Sequence, residues 1–414
     1  MNQGASIRLG SLSLSVAAAL VSASTLFAQA TPAAEPPPLE PPLVGELPPS
    51  PEEVYVPSPE GISVTPYATG LKVVWSLDFA PDGRLFIAER EGRIRVVSAD
   101  GQLDPTPWHT FEGMEVRLED GLLGLALHPD FETQPWVYAF YTVQKDDTYV
   151  NRVSRFREVN GRAGEEQVLI DDIPSFRIHN GGRLRFGPDG MLYVTVGEIT
   201  QSMRAQDVND LPGKILRVTP EGEIPADNPF PGSPVWAYGM RNTHGLAFRP
   251  SDGALFAADN GPTGEWGQLR IRALDEVSII QKGGNHGWPV AVGAPGDPRY
   301  VDPILAWIPS NPPGDLIFYD GDLMPELKGD LFFSGLRTQA LLRIRFQDPA
   351  DPNKVTAVER WFTGPEPRTD SVYGRLRGMA VGPDGALYVG TGNHDGRSAL
   401  REGDDRVLRI GPAN

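Results

Sequence analysis

The sequence predicts an all-β fold, a six-bladed β-propeller made of four-stranded antiparallel blades. The first observation is a phrase that recurs six times: an apolar alternating strand, a turn built from Pro, Asp and Gly, and a second strand of alternating β-forming residues. The second is the composition, because 46 glycines and 41 prolines among 414 residues indicate many turns and short strands. The third is that no convincing amphipathic helix lies between the repeats.

The repeats follow one another along the chain in the same form. LRFGPDGMLYVTVGE shows the pattern: Pro presets φ, and Asp-Gly supplies the positive φ of a tight hairpin. The intervals between repeats, roughly 50 to 75 residues, exceed those of the commonest propeller repeats, so we expect long connecting loops. The repeats begin at Leu77, Leu125, Leu184, Leu246, Leu323 and Met379.

A propeller closes when the two ends of the chain share its last blade. We expect a strand near residues 62–75 to pair with RVLRIG at 406–411, which would leave few free sheet edges. The propeller domain then covers residues 61–414. A β-sandwich, or two separate β-domains, is the alternative architecture, but the even distribution of the repeats and the lack of a second linker argue against it.

Two segments precede the repeats. In residues 1–30, an early arginine, an apolar run at 12–27 and the small-x-small pattern Ala-Gln-Ala at 28–30 predict a signal peptide. No later stretch has 18 consecutive apolar residues, so we expect an exported, periplasmic or secreted protein without an integral membrane domain; a retained N-terminal tether is the alternative. Residues 31–60 carry a proline at about every third position, which predicts an extended linker.

Composition narrows the range of functions. The net charge of −17 and the pI near 4.8 argue against a nucleic-acid partner, whose phosphates need a basic surface. Strong acidity is more consistent with keeping an exported protein soluble. The chain has no cysteine, which excludes disulfides, thiolate nucleophiles and cysteine-ligated zinc or iron–sulfur clusters.

The loops between blades gather at one mouth of a propeller's central channel, so functional residues are expected just before each repeat. His179 stands in such a loop, before Gly181-Gly182, and a neutral imidazole can accept a proton. Taken alone, a histidine in this position is more often structural. The remaining histidines are expected to be structural or solvated: His109, His128, His244, His286 and His394.

Arginines occupy similar positions in other repeats. Together they would form a cationic pocket for a multiply anionic ligand, although any one of them could be a surface arginine paired with Asp or Glu. They are Arg241, Arg337, Arg375 and Arg377. In ADNGPTGEWG at 258–267, the carbonyls of Gly261 and Pro262 could bind a hard cation such as Ca²⁺, but Asn-Gly-Pro is first of all a turn.

Taken together, these phrases resemble the soluble quinoprotein sugar dehydrogenases that use pyrroloquinoline quinone (PQQ), with the aldose sugar dehydrogenases as the nearest branch. The resemblance covers nearly all of residues 65–411, and the family fold is a six-bladed propeller, in agreement with the repeat count. The phrases that carry it, in order, are EDGLLGLALHPDF, HNGGRLRFGPDGMLYVTVGE, YGMRNTHGLAFRP, DNGP, DEVSIIQKGGNHGWP and GRLRGMAVGPDGALYVGTGNHDGR.

The resemblance implies a role for each matched position. His179 would be the general base that takes the proton of the sugar's anomeric hydroxyl, and Arg241 would stabilise negative charge as hydride reaches the quinone. Trp307 matches a tryptophan that lines the substrate pocket, and the carbonyls of Gly261 and Pro262 would bind Ca²⁺. The positions that match cofactor-binding residues are Glu119, Asn242, Ser310, Arg337, Arg375 and Arg377.

The activity implied by the resemblance is oxidation of the C1 hydroxyl of aldose sugars to lactones by hydride transfer to Ca²⁺-bound PQQ. Electrons would then pass to an unidentified external acceptor, a cytochrome or a quinone. A non-catalytic glycan- or protein-binding propeller of the same fold is the alternative. A calcium-dependent lactonase is a third possibility, but it would need several inward Asp, Glu and Asn side chains where this chain has arginines.

The chain departs from the family pattern at several positions. Ile178 stands where the glucose-specific relatives have an aspartate, so we expect broad specificity rather than tight glucose recognition. Residues 263–274 are an insertion that separates Pro262 from the DEVS segment and its two acids. Arg337 replaces a lysine, and Glu119 replaces a glutamine. The added negative charge of Glu119 near an anionic cofactor must be balanced by Ca²⁺ or an arginine.

Overall fold

A computed structural model describes residues 42–263, 274–348 and 350–413. The predicted signal peptide, the linker up to residue 41 and all but the ends of the 263–274 insertion lie outside the described residues. Six sheets, each with four antiparallel strands, follow one another along the chain. Their innermost strands contact each other in a closed cycle, which confirms the predicted six-bladed propeller.

The strands are numbered along the chain, and each blade runs outwards from the central channel. Blade I contains β4 (Val74–Phe79), β5 (Leu85–Glu89), β6 (Arg93–Val97) and β7 (His109–Thr110). Blade II contains β8 (Leu122–Leu127), β9 (Trp136–Lys145), β10 (Thr148–Val159) and β11 (Arg162–Pro174). Blade III contains β12 (Gly181–Phe186), β13 (Leu192–Val196), β14 (Lys214–Val218) and β15 (Val235–Tyr238).

The second half of the wheel repeats this arrangement. Blade IV contains β16 (Thr243–Phe248), β17 (Leu255–Asp259), β18 (Asp275–Ile279) and β20 (Leu305–Trp307). Blade V contains β21 (Pro313–Phe318), β22 (Leu331–Gly335), β23 (Leu341–Arg345) and β24 (Ala357–Trp361). Blade VI contains β25 (Leu376–Val381), β26 (Leu387–Thr391), β27 (Val407–Pro412) and β3 (Ile62–Ala68).

Blade VI joins the two ends of the described chain. β3 pairs antiparallel with β27, with Val64 opposite Ile410 and Ala68 opposite Val407. The predicted ring closure is therefore confirmed. The helices among the described residues are short: one α-helical turn (Pro367–Asp370) and 3₁₀ segments at Ser202–Gln206, Pro325–Leu327 and Asn393–Asp395. None of the helices in the described ranges is long and apolar enough to cross a membrane.

Hydrophobic clusters fill the gaps between neighbouring blades. Between blades I and II, the Phe86 ring packs edge to face against Trp108 and Phe131, with ring centroids 5.6 and 5.8 Å apart. Similar clusters occupy the other five gaps, so both faces of every blade are buried. The predicted Pro-Asp-Gly turns close the hairpins: Gly190 has φ +75°, and Asp189 accepts the backbone N–H of Met191.

All six innermost strands carry a register shift close to their first residue, at the same end of the channel. A β-bulge re-aims the side chain of the extra residue, and bulges are common beside active sites. We call these positions the bulge ring. Its members are Trp75, Leu123, Gly182 with Arg183, His244, Gly314, and Arg377 with Gly378.

The predicted linker, residues 31–60, is partly docked on the propeller. β1 (Leu43–Val44) pairs with β19 (Ala291–Val292), and β2 (Glu53–Val56) adds a fifth, parallel strand to blade V beside β24. Extended backbone was predicted, but docking was not. The reason is local: EEVYV at 52–56 lies between prolines and contains none, so its backbone N–H groups can pair with a sheet edge.

Candidate active site

His179 lies in the loop that leads into β12. It is 8% exposed, and its Nδ1 lies 2.5 Å from Oε1 of Glu198, a buried residue that follows β13. Because the carboxylate occupies Nδ1, Nε2 is the ring nitrogen left to accept a proton from a ligand. The pair has the arrangement of a general base held by an orienting carboxylate.

The backbone around this pair is tightly fixed. His179, Ile199 and Thr200 have φ of +62°, +53° and +63°, a left-handed conformation that non-glycine residues adopt where the surroundings enforce it. Ile199 donates its N–H to the His179 carbonyl at 3.1 Å. A Cβ on Gly197 would lie 2.1 Å from the same carbonyl oxygen, so this position requires glycine. The imidazole is therefore placed by a rigid loop.

Glu119 approaches the same loop from the segment before β8. Its Oε2 lies 3.4 Å from the backbone N of His179, and its Oε1 accepts a hydrogen bond from Arg397 Nη1 at 2.8 Å. Burial acts to raise the pKa of the Glu119 carboxyl, but the neighbouring imidazoles and the Arg397 guanidinium lower it to about 2. The negative charge of Glu119 is thus balanced by an arginine, Arg397 of blade VI.

Arg375 and Arg377 are buried side by side at the entrance to β25. Arg375 Nε and Arg377 Nη2 donate to the same oxygen, Oδ2 of Asp395, at 2.6 and 2.8 Å. Burial acts to raise the pKa of Asp395, but the two arginines lower it to about 2. Two cations share one carboxylate, which leaves a net positive charge for an anionic ligand.

Two further arginines lie near this pair. Arg90 stands with its Cζ 6.0 Å from the Trp75 ring, and burial and the charge of Arg377 lower its pKa to about 10. Arg337 is exposed in the turn between β22 and β23, where the preceding carbonyl, of Leu336, accepts a hydrogen bond from Arg375. Arg337 therefore follows a residue that contacts the cationic group formed by Arg90, Arg375 and Arg377, and its own role remains a prediction.

Arg241 and Asn242 are held by Asp259, at the end of β17. The carboxylate of Asp259 accepts both of their backbone N–H groups at 2.9 Å. The Arg241 guanidinium donates to the carbonyl of Asn260 and the hydroxyl of Thr263, and it lies 5.3 Å from the Trp288 ring. Arg241 is therefore fixed against the loop that contains the two predicted calcium ligands.

Asn242 connects this group to the histidine loop. Its Oδ1 accepts the N–H of Gly181 at 3.0 Å, two residues after His179. The backbone of Glu198 in turn donates to the Arg241 carbonyl at 2.8 Å. The structure thus brings six predicted residues into one connected group: Glu119, His179, Arg241, Asn242, Arg375 and Arg377.

The Gly261-Pro262 loop is anchored on β18. Gly261 donates its N–H to Oδ1 of Asp275 at 2.9 Å, and Ser310 donates its hydroxyl to Oδ2 at 2.7 Å. Burial raises the pKa of Asp275 to about 6, and it raises the pKa of neighbouring Glu276 further. These oxygens are the ligand type that Ca²⁺ prefers. The described residues contain no cluster of three or more His, Cys, Asp or Glu arranged around a metal.

A family assignment follows from the sequence profile of the Glucose / Sorbosone dehydrogenase family, which matches residues 71–401. The chain belongs to this family. The match spans blades I to V, the first two strands of blade VI and every site residue named above, so the site and the profile concern the same part of the chain.

Individual relatives agree with the family. A Thermus thermophilus structure described as a putative oxidoreductase (glucose dehydrogenase) is 45% identical, has a TM-score of 0.75, and is matched over 84% of this chain and 100% of that one. The PQQ-bound aldose sugar dehydrogenase of Streptomyces coelicolor is 35% identical with a TM-score of 0.72, over 85% and 99% of the two chains. The aldose sugar dehydrogenase of Escherichia coli K12 is 29% identical over 381 residues, 86% of this chain and 95% of that protein.

These comparisons confirm three predictions: the family, the enzyme class of sugar dehydrogenase, and PQQ as the cofactor of the family. The oxidised carbon, the lactone product and Ca²⁺ remain predictions. So do the individual roles of the site residues.

The side chain of Trp307 contacts residues outside the connected group. It lies on β20, the outermost strand of blade IV, where its ring packs 5.1 Å from Phe333 and its Nε1 donates to Glu53 of the docked N-terminal segment. The role of Trp307 in lining the substrate pocket remains a prediction, and the tryptophan that contacts Arg377 is Trp75.

Sequence reasoning missed four residues of the site: Glu198, Asp395, Arg397 and Arg90. All four follow the second strand of a blade. Glu198 follows it in blade III, Arg90 in blade I, and Asp395 and Arg397 in blade VI. In an antiparallel hairpin, the second strand ends at the same mouth of the channel at which the first strand begins. The signal was available, because VTVGE and GTGNHDGR were already part of the quoted phrases.

The residues present fit PQQ, a rigid planar tri-acid with an ortho-quinone. Its carboxylates need cations, which Arg375, Arg377 and Arg90 supply. Two buried polar atoms are also available to bind a ligand: Arg377 Nε and Asn242 Nδ2 make no hydrogen bond within the described part of the chain.

Proposed function

We propose that this sugar dehydrogenase oxidises the C1 hydroxyl of aldose sugars to lactones, with PQQ and Ca²⁺ as cofactors and with broad specificity. The observation that carries the proposal is that one connected group of buried side chains joins a carboxylate-oriented histidine to a cluster of arginines. A base and a cationic binding surface in one pocket are what proton removal beside a bound tri-acid requires.

Bound PQQ, polarised by Ca²⁺, would supply the carbonyl carbon that accepts the hydride of C1. His179 Nε2 takes the hydroxyl proton, and loss of the proton and the hydride converts the cyclic hemiacetal to a lactone. Glu198 holds the ring in place and stabilises the imidazolium that forms. Arg241 stabilises the negative charge that develops on the acceptor.

Other residues of the group would hold the cofactors. Arg375, Arg377 and Arg337 would bind the carboxylates of PQQ, and Asn242 would bind it through its amide Nδ2, which has no partner among the described residues. The carbonyls of Gly261 and Pro262 would bind Ca²⁺. Ser310 donates its hydroxyl to Asp275 beneath that loop, so we propose that it supports the calcium loop.

Ile178 supports the proposed breadth of specificity. It is half-buried directly before the base, where an isoleucine cannot hydrogen-bond a sugar hydroxyl. Glu119, ionised and balanced by Arg397, is the nearby acceptor for sugar hydroxyls. An external cytochrome or quinone would accept the electrons, and export through the 1–30 segment would place the enzyme in the periplasm or outside the cell.

The experiment is reconstitution of the purified apoprotein with PQQ and CaCl₂, followed by reduction of an artificial dye on addition of glucose, xylose or maltose. The proposal predicts dye reduction with several aldoses, and none after omission of PQQ. Absence of PQQ binding, together with inactivity on every aldose, would support the non-catalytic binding module.

A further inference from the structure

The bulge ring closes the channel directly at the active site. Trp75 belongs to blade I and His244 to blade IV, which stand opposite each other in a six-bladed wheel, yet their ring centroids are only 5.7 Å apart. Arg377 of blade VI lies over the same Trp75 ring at 4.0 Å. These side chains meet across the channel and form a floor for the pocket that holds the cationic group.

Arg183 fixes this floor from the next layer of the channel. Its guanidinium donates to the carbonyls of His244, Trp75 and Gly314 at 2.9, 3.2 and 2.8 Å. It also donates to Ser76 Oγ, and its charge is balanced by Asp315 at 3.1 Å. Because the backbone at three bulges is hydrogen-bonded to one buried guanidinium, the side chains of the floor are held in place in the channel.

His244 is the polar member of the floor that the proposed mechanism leaves unused. It is 6% exposed, and its Nδ1 is buried without a hydrogen-bond partner in the part of the chain that the structure describes. Burial lowers its pKa to about 3; Arg377 and Arg183 act in the same direction, against Glu119. The imidazole is thus neutral at physiological pH and offers one donor and one acceptor.

We propose that His244 is a further cofactor-binding residue, which hydrogen-bonds the planar quinone from the floor of the pocket. A buried polar atom without a protein partner, beside Arg377 and across from Trp75, is placed to meet a flat ligand bound by the arginines. The sequence predicts a structural role for His244, because a lone histidine in a sequence does not show where its side chain lies. The bulge between Thr243 and Gly245 is what turns it into the pocket. This inference rests on the proposed function.

The test is the affinity of the apoprotein for PQQ in the presence of CaCl₂, measured by titration of the quinone absorbance. His244→Leu keeps the bulk and removes both hydrogen-bonding atoms, so we expect affinity to fall on the order of tenfold. His244→Gln keeps a donor and an acceptor at similar reach and should stay within about threefold of wild type. His128→Leu is the matched control, because His128 is equally buried but bonds Asp130 in the β8–β9 turn.

Thermal unfolding of each apoprotein shows that the variants are folded. Equal PQQ affinity of folded His244→Leu and wild type would overturn this inference and leave the proposed function intact. If His244→Leu does not fold, a His244→Gln affinity well below wild type in a folded protein would likewise contradict it. Failure of the wild type itself to bind PQQ would instead contradict the proposed function.

Discussion

At the scale of single residues, the contact between His179 Nδ1 and Glu198 Oε1 sets the chemistry of the site. The sequence predicted His179 from its place before a hairpin, but not its partner. Glu198 lies on the far side of the β12–β13 hairpin, and its approach depends on left-handed backbone at His179, Ile199 and Thr200. Such conformations are enforced by packing, as at Gly197, and cannot be deduced from residue types.

Glu198→Gln tests the role of the carboxylate. Glutamine keeps the size of the side chain but cannot stabilise an imidazolium, so we expect kcat to fall on the order of 10²- to 10⁴-fold with PQQ affinity unchanged. Steady-state dye reduction and a PQQ titration measure the two quantities. Activity within a few-fold of wild type would show that His179 does not depend on Glu198.

The pair of Glu119 and Arg397 is testable through its charge. Arg397→Met leaves the Glu119 charge unbalanced near an anionic cofactor, so PQQ affinity should fall about fivefold to tenfold. Adding Glu119→Gln removes that charge and should restore most of the loss, whereas Glu119→Gln alone should have little effect. Equal PQQ affinity of Arg397→Met and of the double variant would show that Arg397 does not act by balancing the charge of Glu119.

At the scale of elements, the hairpins could be predicted and the docked strand could not. Each Pro-Asp-Gly turn is determined by its own residues, as Asp189 and Gly190 show. Docking of β2 depends instead on β24, about three hundred residues later, and on Glu53, whose carboxylate accepts hydrogen bonds from Trp307 and Arg360. Non-local pairing of this kind leaves no periodic trace in the sequence. The contact of Trp307 with Glu53 could not be predicted for the same reason.

Glu53→Ala should loosen this N-terminal strand without affecting catalysis. It leaves the Trp307 and Arg360 donors unpaired, so we expect a loss of about 1–3 kcal/mol in the free energy of unfolding and unchanged kcat. Chemical denaturation of the protein measures the free energy of unfolding, with the exposed neighbour Glu52→Ala as the control. A fall in kcat equal to that of a site variant would place the strand in the catalytic machinery.

At the scale of the whole molecule, six repeats predicted six blades, and the ring closes where the terminal phrases predicted. The sequence could not show that one buried side chain joins four blades across the channel. Arg183 extends from blade III to backbone carbonyls of blades I, IV and V and pairs with Asp315. It therefore links the floor of the active site to the stability of the wheel.

Arg183→Met tests this link. The substitution leaves the buried carboxylate of Asp315 with less compensating positive charge, and it leaves the carbonyls that Arg183 bonds without this donor. We therefore expect a loss of about 3–5 kcal/mol in the free energy of unfolding. Arg249→Met is the control, because Arg249 is also buried but, among the described residues, bonds only Asp252 in its own hairpin turn and Pro352 and Asn353 of one other segment, so its loss should cost less. Equal losses in the free energy of unfolding of the two variants, measured by denaturant titration, would show that Arg183 is not a special link between the blades.

The most direct test of the central claim is a single-turnover experiment. Apoprotein loaded with PQQ and CaCl₂ is mixed rapidly with glucose, and the absorbance of the bound quinone is followed in wild type and in His179→Gln. The account predicts rapid reduction in wild type and binding of PQQ with reduction at least about 100-fold slower in the variant. Equal reduction rates in the two proteins, or bound quinone that no aldose reduces, would contradict it.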